Sequence, residues 1–228
     1  MVNGMIRVSI TTYNRNEMVT RLVDALAGPG VDIHVYDDGS DNPVVLPRAT
    51  VHRYDENGGR TWWYTRVGDL FTDACVDESW DYMLWIADDV YPKRDDMLEY
   101  LQAEFETLIE HDPKTVCLNP FKMKNHPCAQ WTGFEPVLRH GHYQTQWMDC
   151  GGFFARRFAH IARQAMRRVA PRYDYPGNNL GTGVGRMISH VSHELGYHLY
   201  QVPESLLSHD NHPSRLSPDK DPIPFIVE

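Results

Sequence analysis

Two adjacent carboxylates, Asp88 and Asp89, stand in the segment DYMLWIADDVYP over residues 81–92. Ahead of them Tyr82, Met83, Leu84, Trp85 and Ile86 form a run with the length and composition of a buried strand. Burying ionised carboxylates is costly, so the pair is expected where the strand emerges, at the C-terminal edge at which open α/β sheets bind ligands. Two hard oxygen donors in that position suit Mg²⁺ or Mn²⁺, ions that neutralise phosphates. Taken alone, the segment is equally well read as an acidic turn after a core strand.

Three further loops carry residues of the same kind. Thr12-Tyr13-Asn14-Arg15 follows a β-rich run from Ile6, and Asp37-Asp38-Gly39-Ser40 follows Val31 to Tyr36. Asn57-Gly58-Gly59-Arg60 follows a short run from Thr50 to Tyr54 and combines close backbone approach with a guanidinium suited to anions. Between the first two runs, Met18, Leu22, Val23 and Leu26 recur at helical spacing. A second helix is predicted from about Thr61 to Cys75, and a third carries Met97, Leu98, Leu101, Phe105 and Leu108 as one stripe behind capping candidates Asp95 and Asp96. Strands alternating with helices imply a mostly parallel sheet covered on both faces. Parallel strands place their C-terminal ends along one edge, so these loops should converge there. Together they describe a nucleoside-diphosphate site.

Beyond residue 115 the pattern loosens. Residues 116–150 suggest short strands and long loops, residues 155–170 and 184–195 are helical, and His198 to Val202 is a last strand. Residues 208–224 read as a Pro-, Asp- and Ser-rich tail. There is no internal repeat or linker, so one domain is expected.

Composition excludes several classes. A formal net charge of −9 argues against a surface built for non-specific nucleic-acid binding. No apolar stretch approaches the ~20 residues of a bilayer span, and the N-terminus reads as a strand rather than a leader. Cys75, Cys117, Cys128 and Cys150 are far apart, form no CxxC signature, and are read as reduced thiols in a cytoplasm, the host's if the protein is viral. Twelve histidines include the clusters HGH at 140–142, HVSH at 190–193 and HDNH at 209–212.

The segments VSITTYNR (8–15), HVYDDGSDN (34–42), ENGGR (56–60), LWIADDVYP (84–92), DCGGFFARR (149–157) and LGYHLYQVPESLLSH (195–209) resemble successive motifs of the family-2-like glycosyltransferases with the GT-A fold. The resemblance spans about residues 6–210. It implies a Rossmann-like, mostly parallel sheet flanked by helices, with a GT-A domain over 1–210 and a tail over 211–228. The nucleotide half would cover about 1–92 and the acceptor half about 93–210. It also implies transfer of a sugar from a nucleotide-diphosphate sugar, UDP-linked by family habit, to a hydroxyl acceptor, with Mn²⁺ or Mg²⁺ and inversion.

By the same resemblance Thr12, Tyr13 and Asn14 would line the base pocket, Asp38 would approach base or ribose, and Arg60 would face the donor. Asp88 would lie nearer the ribose, Asp89 would bind the metal because Ala87 replaces the usual first carboxylate, and His209 would follow a Val-Pro-Glu-Ser strand to reach the metal or diphosphate. The family's Glu-Asp pair before Leu-Gly-Tyr is missing, since this chain reads GTGVGRM at 181–187. An inverting transfer needs a base for the acceptor proton. Asp149, beside a Gly-Gly pair that would admit a ligand, is the first candidate, then Asp174, then His190 or His193.

The acceptor would be a saccharide. A hydroxymethylated base in viral DNA is the named option, gripped by Arg156, Arg157, Arg163, Arg167, Arg168 and Arg172, a run that otherwise reads as a solvated face. Trp62 and Trp63 could stack on a base or sugar but fit a core rim better. A nucleotidyltransferase and a non-catalytic nucleotide-sugar-binding module are the competing classes. The first is disfavoured by TTYNRN where such enzymes carry a basic glycine-rich loop. Transfer or hydrolysis of labelled nucleotide sugars separates all three.

Overall fold

In the computed structural model the described residues are 4–122, 136–145, 148, 151–173 and 184–209, except the side chains of 60–64, 166, 168–173 and 186. The first strand, β1 (Ile6–Thr12), is buried along its whole length, which makes it a central strand. Its alternate residues Ile6, Val8 and Ile10 enter one apolar cluster. Arg7, on the opposite face, instead donates to the Tyr36 hydroxyl at 3.0 Å. Helix α1 (Asn16–Leu26) buries Val19, Leu22, Val23 and Leu26, so Val19 takes the place expected for Met18.

Next come β2 (Val31–Asp37), β3 (Thr50–Arg53) and α2 (Gly59–Val76), then β4 (Tyr82–Ala87), β5 (Val90–Pro92) and α3 (Met97–His111). The chain continues through β6 (Thr115–Asn119), β7 (Val137–Arg139), β8 (His142–Thr145) and β9 (Gly151–Ala155). It closes its described part with α4 (Arg156–Tyr173), α5 (Val184–Glu194), β10 (His198–Gln201) and β11 (Leu207–His209).

Nine strands form one sheet in the order β3-β2-β1-β4-β9-β6-β10-β8-β7. The first four are mutually parallel, and β6 and β10 are parallel to each other. Strand β9 runs antiparallel between β4 and β6. The predicted α/β architecture, a large and mostly parallel sheet flanked by helices, is therefore the observed one. One face is covered by the cluster that includes Val19, Leu22, Leu101 and Phe105 from α1 and α3. The other is covered by Leu70 and Phe71 of α2, Phe158 and Ala162 of α4 and Ile188 of α5.

Four readings change in detail. The Gly151-Gly152 pair does not open the backbone to a ligand. A Cβ on Gly151, whose φ is +130°, would lie 2.3 Å from the Trp85 carbonyl oxygen, and one on Gly152 would meet the Phe154 ring. The pair is small because β9 is wedged against β4. Asp96 precedes α3 without a side-chain capping bond, its carboxylate being taken by Arg94. Residues 202–205 form a loop between β10 and β11 rather than a strand. Ser208 and His209, read as the start of a tail, belong to the strand β11. Cys75 and Cys117 are free thiols, and Cys128 and Cys150 lie outside the described residues.

Candidate active site

Because β1, β2 and β4 are parallel and in register, Thr12 pairs with Asp37 and Thr11 with Ala87. The loops after all three strands therefore leave the sheet side by side. They are bonded into one unit. The Thr12 hydroxyl donates to Asp88 Oδ2 at 2.6 Å. Asn14 sits at φ +53°, a conformation Asn tolerates. Its backbone N–H donates to Ser40 Oγ at 2.8 Å, and its side chain exchanges two bonds with Asp41.

The loop after β2 is fastened to the loop after β3. Asp38 Oδ1 accepts from the Gly58 N–H at 3.1 Å and from Arg66 Nε at 2.8 Å, while Oδ2 accepts from Asn57 Nδ2 at 3.1 Å. Gly39, at φ +70°, would bring a Cβ to 2.5 Å from the Asn57 backbone nitrogen, so only glycine lets the two loops meet. Neighbouring Asp37 is fully buried and accepts from Ser40 and Arg53.

Asp88 and Asp89 occupy the turn between β4 and β5, at the edge where they were expected. Arg15 Nη1 reaches both, at 2.9 Å from Asp88 Oδ1 and 2.6 Å from Asp89 Oδ2. Burial pushes the Asp88 carboxyl up to about 6, Arg15 opposing the rise and the Asp89 charge adding to it. Burial works against the Arg15 charge too, but the two carboxylates outweigh it and hold the guanidinium above its ordinary value. Sequence reading placed Arg15 in the turn without a role. Its position one residue after Asn14 was the available signal.

His209 arrives by strand pairing. β11 lies antiparallel to β5 with His209 opposite Val90, next to Asp89. Its Nε2 is 3.7 Å from Asp89 Oδ2, and both side chains are about 15% exposed. The two bring one nitrogen and one carboxylate oxygen to a spacing an ion could bridge, a donor set suited to Mn²⁺ or another first-row dication. Arg21 stacks over Tyr91 at 3.6 Å, tying α1 to the same turn.

The remaining expected residues are distributed unevenly. Tyr13 is half-buried in the first loop, and Arg60 lies in the first turn of α2 rather than in a loop, its side chain outside the described residues. Trp62 and Trp63 also belong to α2, their side chains likewise outside. Asp149 and Asp174 lie outside the described residues, and His190 is exposed on α5 beside Glu194. In the arginine run of α4, Arg157 donates to the Pro113 and Thr115 carbonyls at 3.0 and 2.6 Å, and Arg156 lies near Glu78 and over Trp80. Burial pushes the Cys75 thiol up, and the Arg163 guanidinium opposes the rise. Arg167 is exposed, and the side chains of Arg168 and Arg172 lie outside the described residues.

A second group, Asp32, His34 and Asp77, offers ligand atoms within 4.8 Å of one another. Asp32 and Asp37 stand five residues apart on β2, roughly 16 Å at strand rise. The group is therefore separate from the acidic turn. Arg7 enters it, donating to Asp77 at 2.8 Å and lying 3.2 Å from His34 Nδ1, while His34 Nε2 lies 2.8 Å from Asp32. Arg7 already pairs with Asp77 and His34 with Asp32, so the arrangement serves as a polar network between β1, β2 and the residue after α2 at least as well as an ion site.

No protein-family model matches the chain, and no curated protein matches it. Among solved structures it is similar to the mannosyltransferase PcManGT from Pyrobaculum calidifontis, determined in complex with GDP-Man and Mn²⁺, with a TM-score of 0.56 at 12% identity. The match covers 94% of this chain and 59% of that one. No helix among the described residues is long and apolar enough to cross a membrane. What the chain shares with that protein is its overall architecture.

Proposed function

We propose that the chain is a metal-dependent glycosyltransferase of the GT-A type, moving a sugar from a nucleoside-diphosphate sugar to a hydroxyl acceptor with inversion. The observation that carries this reading is the joined set Thr12, Arg15, Asp88, Asp89 and His209 at the edge of the parallel strands. Asp89 and His209 would hold the dication, which when bound supplies charge neutralisation to the departing diphosphate. Asp88, kept in place by Thr12, would accept from the ribose. Thr12, Tyr13 and Asn14 would border the base, with Asp38 fixing the loop beside it and Arg60 on the donor side. In the reaction the anomeric carbon–oxygen bond to the diphosphate breaks as the acceptor oxygen attacks, and Asp149 or Asp174 takes the acceptor proton.

Two of the α4 arginines, Arg157 and Arg156, are already engaged with the protein's own carbonyls and the Trp80 ring. That favours a saccharide hydroxyl over a DNA base as acceptor. The resemblance points to UDP-sugars and the structural neighbour was solved with GDP-Man, so both belong in the test.

The test incubates the protein with Mn²⁺ or Mg²⁺ and radiolabelled UDP- and GDP-sugars, scoring hydrolysis and transfer to saccharides and to hydroxymethylated DNA. Donor turnover should depend on the dication and fall at least a hundred-fold in Asp89→Ala, the range for a lost electrostatic contribution to a transition state. Asp149→Asn should bind donor normally yet slow transfer by about two to four orders of magnitude. Full turnover by Asp89→Ala in chelator would overturn the metal reading. Transfer to DNA with a steep salt dependence would replace the saccharide acceptor.

A further inference from the structure

Arg15 and a dication compete for the same oxygens. Its Nη1 lies 2.6 Å from Asp89 Oδ2, the carboxylate oxygen nearest His209 Nε2 at 3.7 Å. A dication held by that oxygen would sit about 2.1 Å from it. The ion and the guanidinium nitrogen could then be no more than about 5 Å apart. Both would lie among side chains at most 15% exposed, where solvent screens like charges poorly. Nor is Arg15 loosely placed: the same nitrogen bonds to Asp88, whose other oxygen is held by Thr12.

We infer that Arg15 is an internal counter-cation that keeps the ion out until a diphosphate arrives. Without nucleotide the guanidinium neutralises Asp88 and Asp89. A diphosphate offers it a better partner, since a guanidinium binds phosphate oxygens through two parallel hydrogen bonds. Arg15 swings from the carboxylates to the phosphates, and the ion takes its place between Asp89 and His209. Metal and diphosphate thus enter together, each raising the affinity for the other. This rests on the metal site proposed above and adds the order in which it fills.

The experiment titrates Mn²⁺ by electron paramagnetic resonance into nucleotide-free wild type, Arg15→Met, Arg15→Lys and Arg15→Met/Asp89→Asn. It then measures GDP and UDP binding at saturating Mn²⁺. Arg15→Met should bind Mn²⁺ at least about ten-fold tighter than wild type, the equivalent of one charge-assisted hydrogen bond released. The same variant should bind the preferred nucleoside diphosphate at least ten-fold more weakly. Opposite signs on the two affinities are not what a general loosening of the fold produces. Arg15→Lys, which keeps the charge but not the fork, should fall between, and it carries the test if the methionine variant does not fold. Adding Asp89→Asn should abolish the gain.

Mn²⁺ affinity unchanged or weaker in both Arg15 variants, yet still lost with Asp89→Asn, would overturn the gating role and leave the metal site standing. Absence of any Asp89-dependent Mn²⁺ binding, with or without GDP or UDP, would overturn both.

Discussion

Asp88→Asn should make the protein more stable while removing its function. The Asp88 side chain is 6% exposed, and burial moves its carboxyl from 3.8 to about 6 despite Arg15 and Thr12. At about 1.4 kcal/mol per ten-fold change in proton affinity, the folded site favours the neutral carboxyl by roughly 3 kcal/mol. The sign follows from linkage. A carboxyl with a raised folded-state value contributes its stabilisation fully below the unfolded value near 3.8 and loses it as the pH climbs through about 6. Asparagine stays neutral throughout. In urea unfolding without divalent ions, the variant should therefore match wild type near pH 3.5 and exceed it at pH 8, by an order-of-magnitude 1–3 kcal/mol. Under the proposed function its donor turnover should fall at least ten-fold, because the group proposed to accept from the ribose loses its charge. Saturating Mn²⁺ and nucleotide should stabilise wild type more than the variant, since the ligands relieve the buried charge. A variant less stable than wild type at pH 8, or a difference that does not change with pH, would falsify the reasoning. Asp88 would then be held in its ionised form by Arg15 for structural reasons.

Three further outcomes follow from the geometry. Gly151→Ala should destabilise by about 3 kcal/mol or more, or prevent folding, because the added methyl meets the Trp85 carbonyl at a positive φ; a wild-type melting temperature would show that β9 can shift. Burial raises the Asp112 carboxyl, but bonds from His198, Tyr200 and the Lys114 N–H outweigh it and hold it below the usual range. The stability this gives is present above the unfolded carboxylate value and is lost as the pH falls through the folded one. Asp112→Asn should accordingly cost about 1–3 kcal/mol at pH 7 and progressively less as the pH falls below the unfolded carboxylate value, as read by urea unfolding. Under the proposed function Asp38→Asn should raise the donor KM more than it lowers kcat, since the carboxylate fixes the loop proposed to border the nucleotide through Asn57, Gly58 and Arg66. Unchanged affinity for GDP and UDP in calorimetry would remove Asp38 from nucleotide recognition.

The sequence by itself determined the parallel half of the molecule. Short β-rich runs bounded by turn residues read as strands, and helical stripes between them imply crossover connections. From Ile6–Thr12, Val31–Asp37 and Tyr82–Ala87 it follows that Thr12, Asp38 and Asp88 share one edge. That inference needs only strand direction, a local property repeated along the chain. Side-chain bonding was not legible in the same way. Asp37 and Asp38 are adjacent and chemically identical, yet Asp37 is consumed by Arg53 and Ser40 while Asp38 joins two loops. Arg15 looked like one turn residue among several. It became the partner of both acidic side chains only when the register of β1 against β4 set the reach of its side chain.

Tertiary structure alone decided the rest. His209 meets Asp89 because three residues of β11 pair with β5 across more than a hundred residues of chain, and such a short pairing has no periodic signal. Gly151 and Gly152 looked like an opening for a ligand and are instead the space that β9 needs to fit beside β4. Arg157 of α4 looked like part of a charged surface and instead donates to the Pro113 and Thr115 carbonyls. In each case the deciding quantity is a contact between residues distant in sequence. Composition and spacing fix which chemistry a residue can do, and only its packed neighbours fix which partner receives it.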